Sequence, residues 1–316
     1  MPKTIFKLER RKSSEIRKKI KFFYTEKYFN KWMNKFIFVG LNYQQAHYLM
    51  KKLWGVGNCA CSSISSSNET LAGLMKAGQL DMGSNTLIFT PWDPAQRFNI
   101  YDFSTHIRLI NTRGVSFITN AELEVDKEAV IIYAQKNHKS VFSSIEAKID
   151  ELVDTHMTMR TALKAQKQPW MFTFSPEDRE NAKILQEQID EDAPYLFAPF
   201  NAPDKVKGFV SGANYIIDKL SQHCEKIDNE ILTIIGVNNI GIEEKKEHLI
   251  VDEVNANNED IKQQSVSYKN EIEDAFDRIN ACFSHKVYVI DLNELTNDVN
   301  QEDEQEQEDA QNDFNQ

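Results

Sequence analysis

The chain has 316 residues, 41% of them hydrophobic and 27% charged, with a formal net charge of -11. That length and apolar content support one large or two modest domains with a real core, and argue against a chain disordered throughout. The start carries no apolar signal core and nowhere do 18 apolar residues run together, so a soluble intracellular protein is expected and a membrane-spanning one is not.

The net charge is strongly segregated. Residues 1–36 hold twelve Lys or Arg against Glu9, Glu15 and Glu26. Among these cations Phe22, Phe23, Tyr24, Tyr28, Phe29, Trp32 and Phe36 alternate with Lys18, Lys19, Lys21, Lys27, Lys31 and Lys35. Large aromatics are costly to leave in water. The pattern predicts an arm that docks on another surface, with Lys3, Lys7, Arg10, Arg11, Lys12 and Arg17 free to meet an acidic partner.

Residues 37–137 have a mixed α+β pattern. Helices are predicted over Asn42–Trp54 and Glu69–Ala77, and strands over Thr86–Thr90, Gly114–Thr119 and Ala129–Gln135, the last from an unbroken apolar run. Turns are predicted at Asp81–Asn85, Pro91–Pro94 and Asn111–Gly114. From Ser140 to Gln166 there is no Gly or Pro, and Phe142, Ile145, Ile149, Leu152, His156, Met159 and Leu163 recur at steps of three and four. A helix of about 40 Å follows. His156 on that stripe reads as a core or interface residue.

Between Pro169 and Gly212 lies a compact insert, read as a β-α-β unit. Trp170–Phe174 and Tyr195–Ala198 are its strands, and Ser175, Pro176, Glu177 and Asp178 open a helix to about Asp190. A second amphipathic helix runs on Ile217, Leu220, Cys224, Ile227, Ile231 and Ile234 until Gly236 breaks it. The next stretch, Glu243–Ser265, carries seven acids against Lys245, Lys246 and Lys262. It is predicted as a long polar loop, a kind of segment that is rarely idle. Tyr268, Ile272, Phe276, Ile279 and Phe283 resume a helix. Residues 291–316 hold ten acids and no base, and are expected to be a disordered acidic tail.

Chemistry is scarce. Gly55-Val56-Gly57-Asn58-Cys59-Ala60 satisfies GxGxx(G/A), but it follows a predicted helix rather than a strand, so it reads as a helix-terminating turn. There is no GxxxxGK[ST], and Ser62–Ser67 lacks a GxSxG elbow. Cys59, Cys61, Cys224 and Cys282 form no CxxC pair, the histidines are scattered, and the carboxylates Glu243, Glu244, Glu247, Asp252, Glu253, Glu259 and Asp260 lack EF-hand spacing. Reduced thiols, no metal, no cofactor and no enzymatic activity are expected.

Several segments, taken in order, resemble a known family. They are Ala129–Tyr133 leading into the long helix, the insert, Tyr215–Leu220, Ile234–Asn239, Glu244–Glu247, Val251–Val254 and Asp274–Asn280. Over about 125–290 these are similar to the portal protein, or upper collar or head-tail connector, of phi29-like short-tailed bacteriophages. The resemblance implies an α+β subunit that assembles into a dodecameric ring, with a long-helix stem, a β-α-β clip and a mixed α/β wing. The expected parts are a basic arm (1–36), wing (37–137), stem helix (138–167), clip (168–213), stem helix (214–240), tunnel loop (241–265), wing helix and strand (266–290) and acidic tail (291–316).

By the same resemblance, double-stranded DNA would pass through the ring during packaging and ejection. Lys219 matches a channel-lining lysine, and Lys205, Lys207, Lys245, Lys246 and Lys262 are the other candidate DNA contacts. Arg10, Arg11, Lys12, Arg17, Lys18 and Lys19 would meet the packaging machinery, either a separate ATPase or a packaging RNA. Major capsid and scaffolding proteins would meet the wing, and lower collar and tail proteins would bind later. The expected location is the portal vertex of the virion, after assembly in the host cytoplasm, with no membrane contact. The rival reading is a nucleic-acid-binding protein that works through its basic arm and is dimerised by a helical coiled coil.

Overall fold

A computed structural model describes residues 3–63, 87–110, 122–167, 170–173, 207–210, 215–238 and 251–292. Within these, residues 3–12, 167, 170–173, 207–210 and 251–258 are described by backbone alone. The elements in chain order are α1 (Lys3–Met33), β1 (Phe36–Val39), α2 (Tyr43–Gly55), β2 (Asn58–Ser63), β3 (Leu87–Thr90), β4 (Trp92–Pro94), β5 (His106–Leu109), β6 (Leu123–Glu124) and β7 (Ala129–Tyr133). Then follow α3 (Val141–Lys167), β8 (Trp170–Thr173), β9 (Lys207–Val210), α4 (Ile217–Ile234), α5 (Val251–Phe283) and β10 (Tyr288–Asp291). The chain divides into two units, Met1–Glu151 with Ile227–Gln316, and Leu152–Lys226. The divisions fall inside α3 and α4.

In the larger unit two antiparallel sheets, β3-β2-β7 and β4-β5-β6, share an apolar core of Ala60, Ile88, Ile107, Leu109, Ala129 and Ile131, edged by Trp92, Leu123, Val125 and Tyr133. Strand β7 is buried from Ala129 to Ile132, as its unbroken apolar run predicts for a strand covered on both faces. Strand β2 lies between β3 and β7, with Ala60 opposite both Thr90 and Ile131. The predicted turn at Pro91–Pro94 is instead strand β4, paired with β5 through Trp92–Leu109, Asp93–Arg108 and Pro94–Ile107. Proline is tolerated there because β4 is an edge strand, where a missing N–H breaks no ladder on its open side.

Helix α2 starts where its sequence says it should. Asn42 Oδ1 accepts from the Gln45 N–H at 2.9 Å while Gln45 Oε1 accepts from the Asn42 N–H at 2.9 Å, a reciprocal capping box. It ends at Gly55, and Gly57 (φ +90°) turns the chain into β2. The GxG motif is therefore a helix-to-strand turn. This is the reverse of the strand-to-helix order that cradles a dinucleotide.

The C-terminal aromatic part of the arm expected to dock on another surface packs instead in the core of its own chain. The last turns of α1 are core: Tyr28 and Trp32 are fully buried, and Trp32 packs on Phe36, Trp54 and Tyr268. The start of α3 (Val141, Ile145, Ile149), the end of α4 (Ile227, Ile231, Leu232) and α5 (Ile261, Tyr268, Ile272, Phe276, Ile279) bury their stripes in the same unit. Strands β1 and β10 form an antiparallel ribbon, and Phe38 meets Phe276.

Helix α4 ends in a Schellman motif. The Val237 N–H donates to Leu232 O at 2.9 Å and the Gly236 N–H to Thr233 O at 2.9 Å, with Gly236 at φ +63°. The long polar loop predicted over 243–265 does not survive from Val251 onward, because that stretch is already helix α5. Polarity does not prevent a helix when one residue per turn is hidden. Ile261, Ser265 and Tyr268 supply that stripe, and the Ser265 hydroxyl donates to the buried Asp291 carboxylate. Residues 239–250 lie outside the described residues.

The smaller unit comprises the second part of α3, the ribbon β8–β9 and the first part of α4. Trp170–Thr173 pairs antiparallel with Lys207–Val210. Strand β9 is an element the sequence did not show, and the strand expected at Tyr195–Ala198 is a separate segment. That segment and the helix expected over Ser175–Asp190 lie outside the described residues, as do Glu69–Ala77, Gly114–Thr119 and the acidic tail from 293.

Candidate nucleic-acid interface

The sequence offered two groups of cations, and on α1 the fold uses some of them in ion pairs to other helices. On α1, Lys21 binds Glu146 at 3.1 Å and Asp150 at 2.8 Å on α3. The Asp150 hydrogen bond is the main cause that raises its pKa above the usual lysine value; burial opposes it, and the Glu146 hydrogen bond adds to the rise. Lys27 binds Asp228 of α4 at 2.6 Å, and Tyr28 donates its hydroxyl to the same carboxylate at 2.5 Å. Burial, followed by the charge of Lys27, lowers the pKa of Lys31. Lys21 and Lys27 fasten α1 to α3 and α4. By contrast Arg17, Lys18 and Lys19 are exposed, and Arg10, Arg11 and Lys12 continue the same helix toward Lys3.

Lys35 is the residue whose place the sequence misrepresented. It follows α1 in the run of aromatic-interleaved lysines, yet it is buried among Trp32, Phe36 and Tyr268, whose ring centroids lie 5.5, 4.9 and 4.7 Å from Nζ. Its Nζ donates to Ile235 O at 3.0 Å, closing the C-terminal end of α4. Burial pushes its pKa down to about 7, against the pull of the Asp291 charge. A visible signal was its spacing: Lys35 stands beside Phe36 and three residues after Trp32, both core residues.

On α4 the exposed face carries Asp218, Lys219, Gln222, His223, Glu225 and Lys226. Tyr215 donates its hydroxyl to Asp218 at 2.9 Å. Two acids offset two lysines on this face. Farther along, Asp228 and Glu230 are held by Lys27 and Lys148, the latter pair at 2.7 Å joining α3 to α4 within the larger unit. The hydrogen bonds to Glu230 and then Glu151 raise the pKa of Lys148.

On α5 Lys262 is exposed beside Glu259 and Asp260, and with Gln263 these line an open depression of about 490 Å³. Lys207 sits in β9 opposite Thr173. Lys205, Lys245 and Lys246 lie outside the described residues. The placed candidates are thus distributed over two units, Lys219 and Lys262 on helices beside acids and Lys207 on a strand, and among the described residues nothing resembles a dense cationic groove that would grip phosphates.

Other chemistry is equally thin. Burial raises the Cys59 thiol to about 12 and Cys61 well above the usual thiol range, so neither is a nucleophile at neutral pH. His156 is half-buried and its pKa is lowered by desolvation, as suits an apolar stripe. Among the described residues no group of three or more His, Cys, Asp or Glu could hold a metal ion, and no helix is long and apolar enough to cross a membrane.

A family model described as Phage Connector (GP10) matches residues 2–296. Among solved structures the chain is similar to one in the portal and tail of native bacteriophage P68, with 15% identity, 89% of each chain covered and a TM-score of 0.45. It is also similar to an HK97 family phage portal protein from Corynebacterium diphtheriae, with 8% identity, 82% and 88% of the two chains covered and a TM-score of 0.47. A third is a chain from the virion of a native gene transfer agent particle, with 9% identity, 89% and 84% covered and a TM-score of 0.44.

Proposed function

The chain belongs to the phage connector family, and we propose that twelve copies close into a ring whose channel passes double-stranded DNA during packaging and ejection. A phage connector is a structural protein of the virion, set where head meets tail. The family match over 2–296 carries this reading. In it α3 and α4 are the stem that walls the channel, β8 and β9 belong to the clip, and the sheets with α5 form the wing. Twelve helices about 10 Å wide, side by side, enclose a bore of roughly 28 Å, and a duplex about 20 Å across fits.

The charge balance supports a conduit over a clamp. Every phosphate held by a cation adds to affinity and slows sliding. The balanced face of α4, and Lys262 beside Glu259 and Asp260 on α5, provide brief cationic contacts in a wall that as a whole does not retain phosphate. Lys219, Lys262 and Lys207 are the proposed DNA contacts among the described residues, and Lys205, Lys245 and Lys246 are proposed with them. Exposed Arg17, Lys18 and Lys19, with Arg10, Arg11 and Lys12, are the proposed contact with the packaging ATPase or an RNA. Capsid, scaffolding and tail proteins are the other proposed partners, and no catalytic role is assigned. The rival reading of an aromatic basic arm that binds nucleic acid loses support because Tyr28 and Trp32 are spent in the core.

A packaging assay with rings carrying Lys219→Ala and Lys262→Ala tests the channel assignment. Both positions are exposed, so the rings should assemble as wild type while the length of genome retained falls. Full-length retention by the double variant would remove these lysines from the channel.

A further inference from the structure

Between β4 and β5 the chain makes a hairpin tip, Gln96–Thr105, that shows apolar side chains to solvent: Phe98 is 53% exposed, Ile100 88%, Tyr101 73% and Phe103 49%. The tip is nevertheless well built. The Asn99 N–H donates to Phe103 O at 2.9 Å, and Asn99 Oδ1 accepts from the Tyr101 and Phe103 N–H groups at 2.8 and 3.1 Å. The Thr105 N–H donates to Arg97 O at 2.8 Å, and Phe103 leans on His138 with centroids 5.6 Å apart. Four large side chains held this way present roughly 500 Å² of apolar surface, at the upper range for a soluble monomer and typical of an interaction site.

A second exposed apolar surface has the opposite shape. In the β1–β10 ribbon, Phe36, Phe38, Val289 and Asp291 face the core side. Alternation puts Ile37, Val39, Tyr288 and Ile290 on the other face, where Ile37 is 43% and Tyr288 52% exposed. An outward sheet face is ordinarily polar; this one is apolar at all four positions. Its flank carries exposed Lys286, while the hairpin tip carries exposed Asp102.

We propose that the 96–105 hairpin tip plugs onto the outward face of the β1–β10 ribbon of a second copy of this chain, with Asp102 meeting Lys286. This rests on the ring reading above and names the two surfaces that would close the ring. A convex patch and a flat one, unlike each other and oppositely charged at their edges, suit a head-to-tail contact, the kind that generates rings when its rotation closes. The tip supplies about half or more of the area that each partner contributes to a standard interface, and the flanks of both surfaces supply the rest.

The test uses the full chain in its assembled state. Ile100→Cys with Tyr288→Cys in one chain, treated with a short bismaleimide, should give a ladder of covalent oligomers up to the full ring. Rings mixed from the two single variants should stop at cross-linked dimers. The wild-type chain, with its own four cysteines, sets the background. Ile100→Asp, at an exposed site that leaves the protomer folded, should raise the concentration for half-assembly at least tenfold. If wild-type rings form but the ladder stays at background and Ile100→Asp assembles normally, the tip covers a different protein and the proposal is overturned. Dimers from the Ile100→Cys variant alone would overturn it as well, since they mean tip-to-tip contact. Failure of the wild type to form rings would sink the ring reading itself, and the proposal with it.

Discussion

Lys35 makes stability depend on pH in a direction opposite to that of a salt-bridged lysine. Its folded pKa is about 7, well below the usual lysine value of about 10.5, with burial the largest cause. Below pH 7 the buried ammonium is present in the folded state and its desolvation penalty is fully felt. Between the two values the unfolded chain binds the extra proton, so stability rises as pH rises through the folded pKa and levels off only near the unfolded one. From pH 6 to pH 8 the gain is about 1 kcal/mol, out of a possible few.

Lys35→Met removes the titration while keeping much of the volume packed on Trp32, Phe36 and Tyr268. It also leaves Ile235 O without that donor, a constant offset of about 1 kcal/mol. Urea unfolding of wild type and variant, followed by tryptophan fluorescence at one fixed protein concentration, gives the difference at each pH and cancels the other titrating groups. The wild type should gain about 1 kcal/mol on the variant between pH 6 and pH 8. Parallel curves would mean that Lys35 keeps its proton throughout, and would refute the linkage.

Three further perturbations separate the roles argued above. Trp32→Ala should cost about 4 kcal/mol by denaturant titration, while Phe23→Ala, at an exposed position of the same helix, should stay within about 0.5. Gly57→Ala should cost about 3 kcal/mol, since a Cβ there would lie 2.5 Å from the Lys139 carbonyl carbon at a φ of +90°. Gly55→Ala, with no atom within 4 Å of the added Cβ, should be neutral or stabilise by about 0.5 kcal/mol. Replacing Arg17, Lys18 and Lys19 by Ala should lower the salt slope of nucleic-acid binding by about 2 to 3, and an unchanged slope would take the arm out of that role.

What the sequence displayed was whatever rests on local pattern. The helix over Asn42–Trp54, the run Ala129–Ile132 and the stripe from Ile145 to Leu152 each carry a pattern local to their own segment, and the structure follows them. Strand β4 was hidden because its proline signals a turn, and only its edge position makes a strand acceptable. Strand β9 was hidden because four residues with a glycine have no period of their own and become a strand only when Trp170–Thr173 lies alongside. The start of α5 was masked by its polarity. One of its core-facing positions is Ser265, whose burial depends on Asp291, far along the chain and in another element.

The same limit governs the candidate site. Which cations of α1 are tied to other helices could not be read from their neighbours, because Lys21 and Lys27 are claimed by Glu146, Asp150 and Asp228, all more than a hundred residues away. Lys35 is the extreme case. Its four named contacts come from α1, β1, α5 and the end of α4, and no single segment announces the pocket.

The most direct measurement is the symmetry of the assembled protein, by native mass spectrometry with class averages of the purified full chain. A closed ring of twelve, with a bore wider than about 20 Å and only weak binding of duplex DNA at physiological salt, is the predicted result. A dimer that binds DNA tightly under the same conditions would contradict the account.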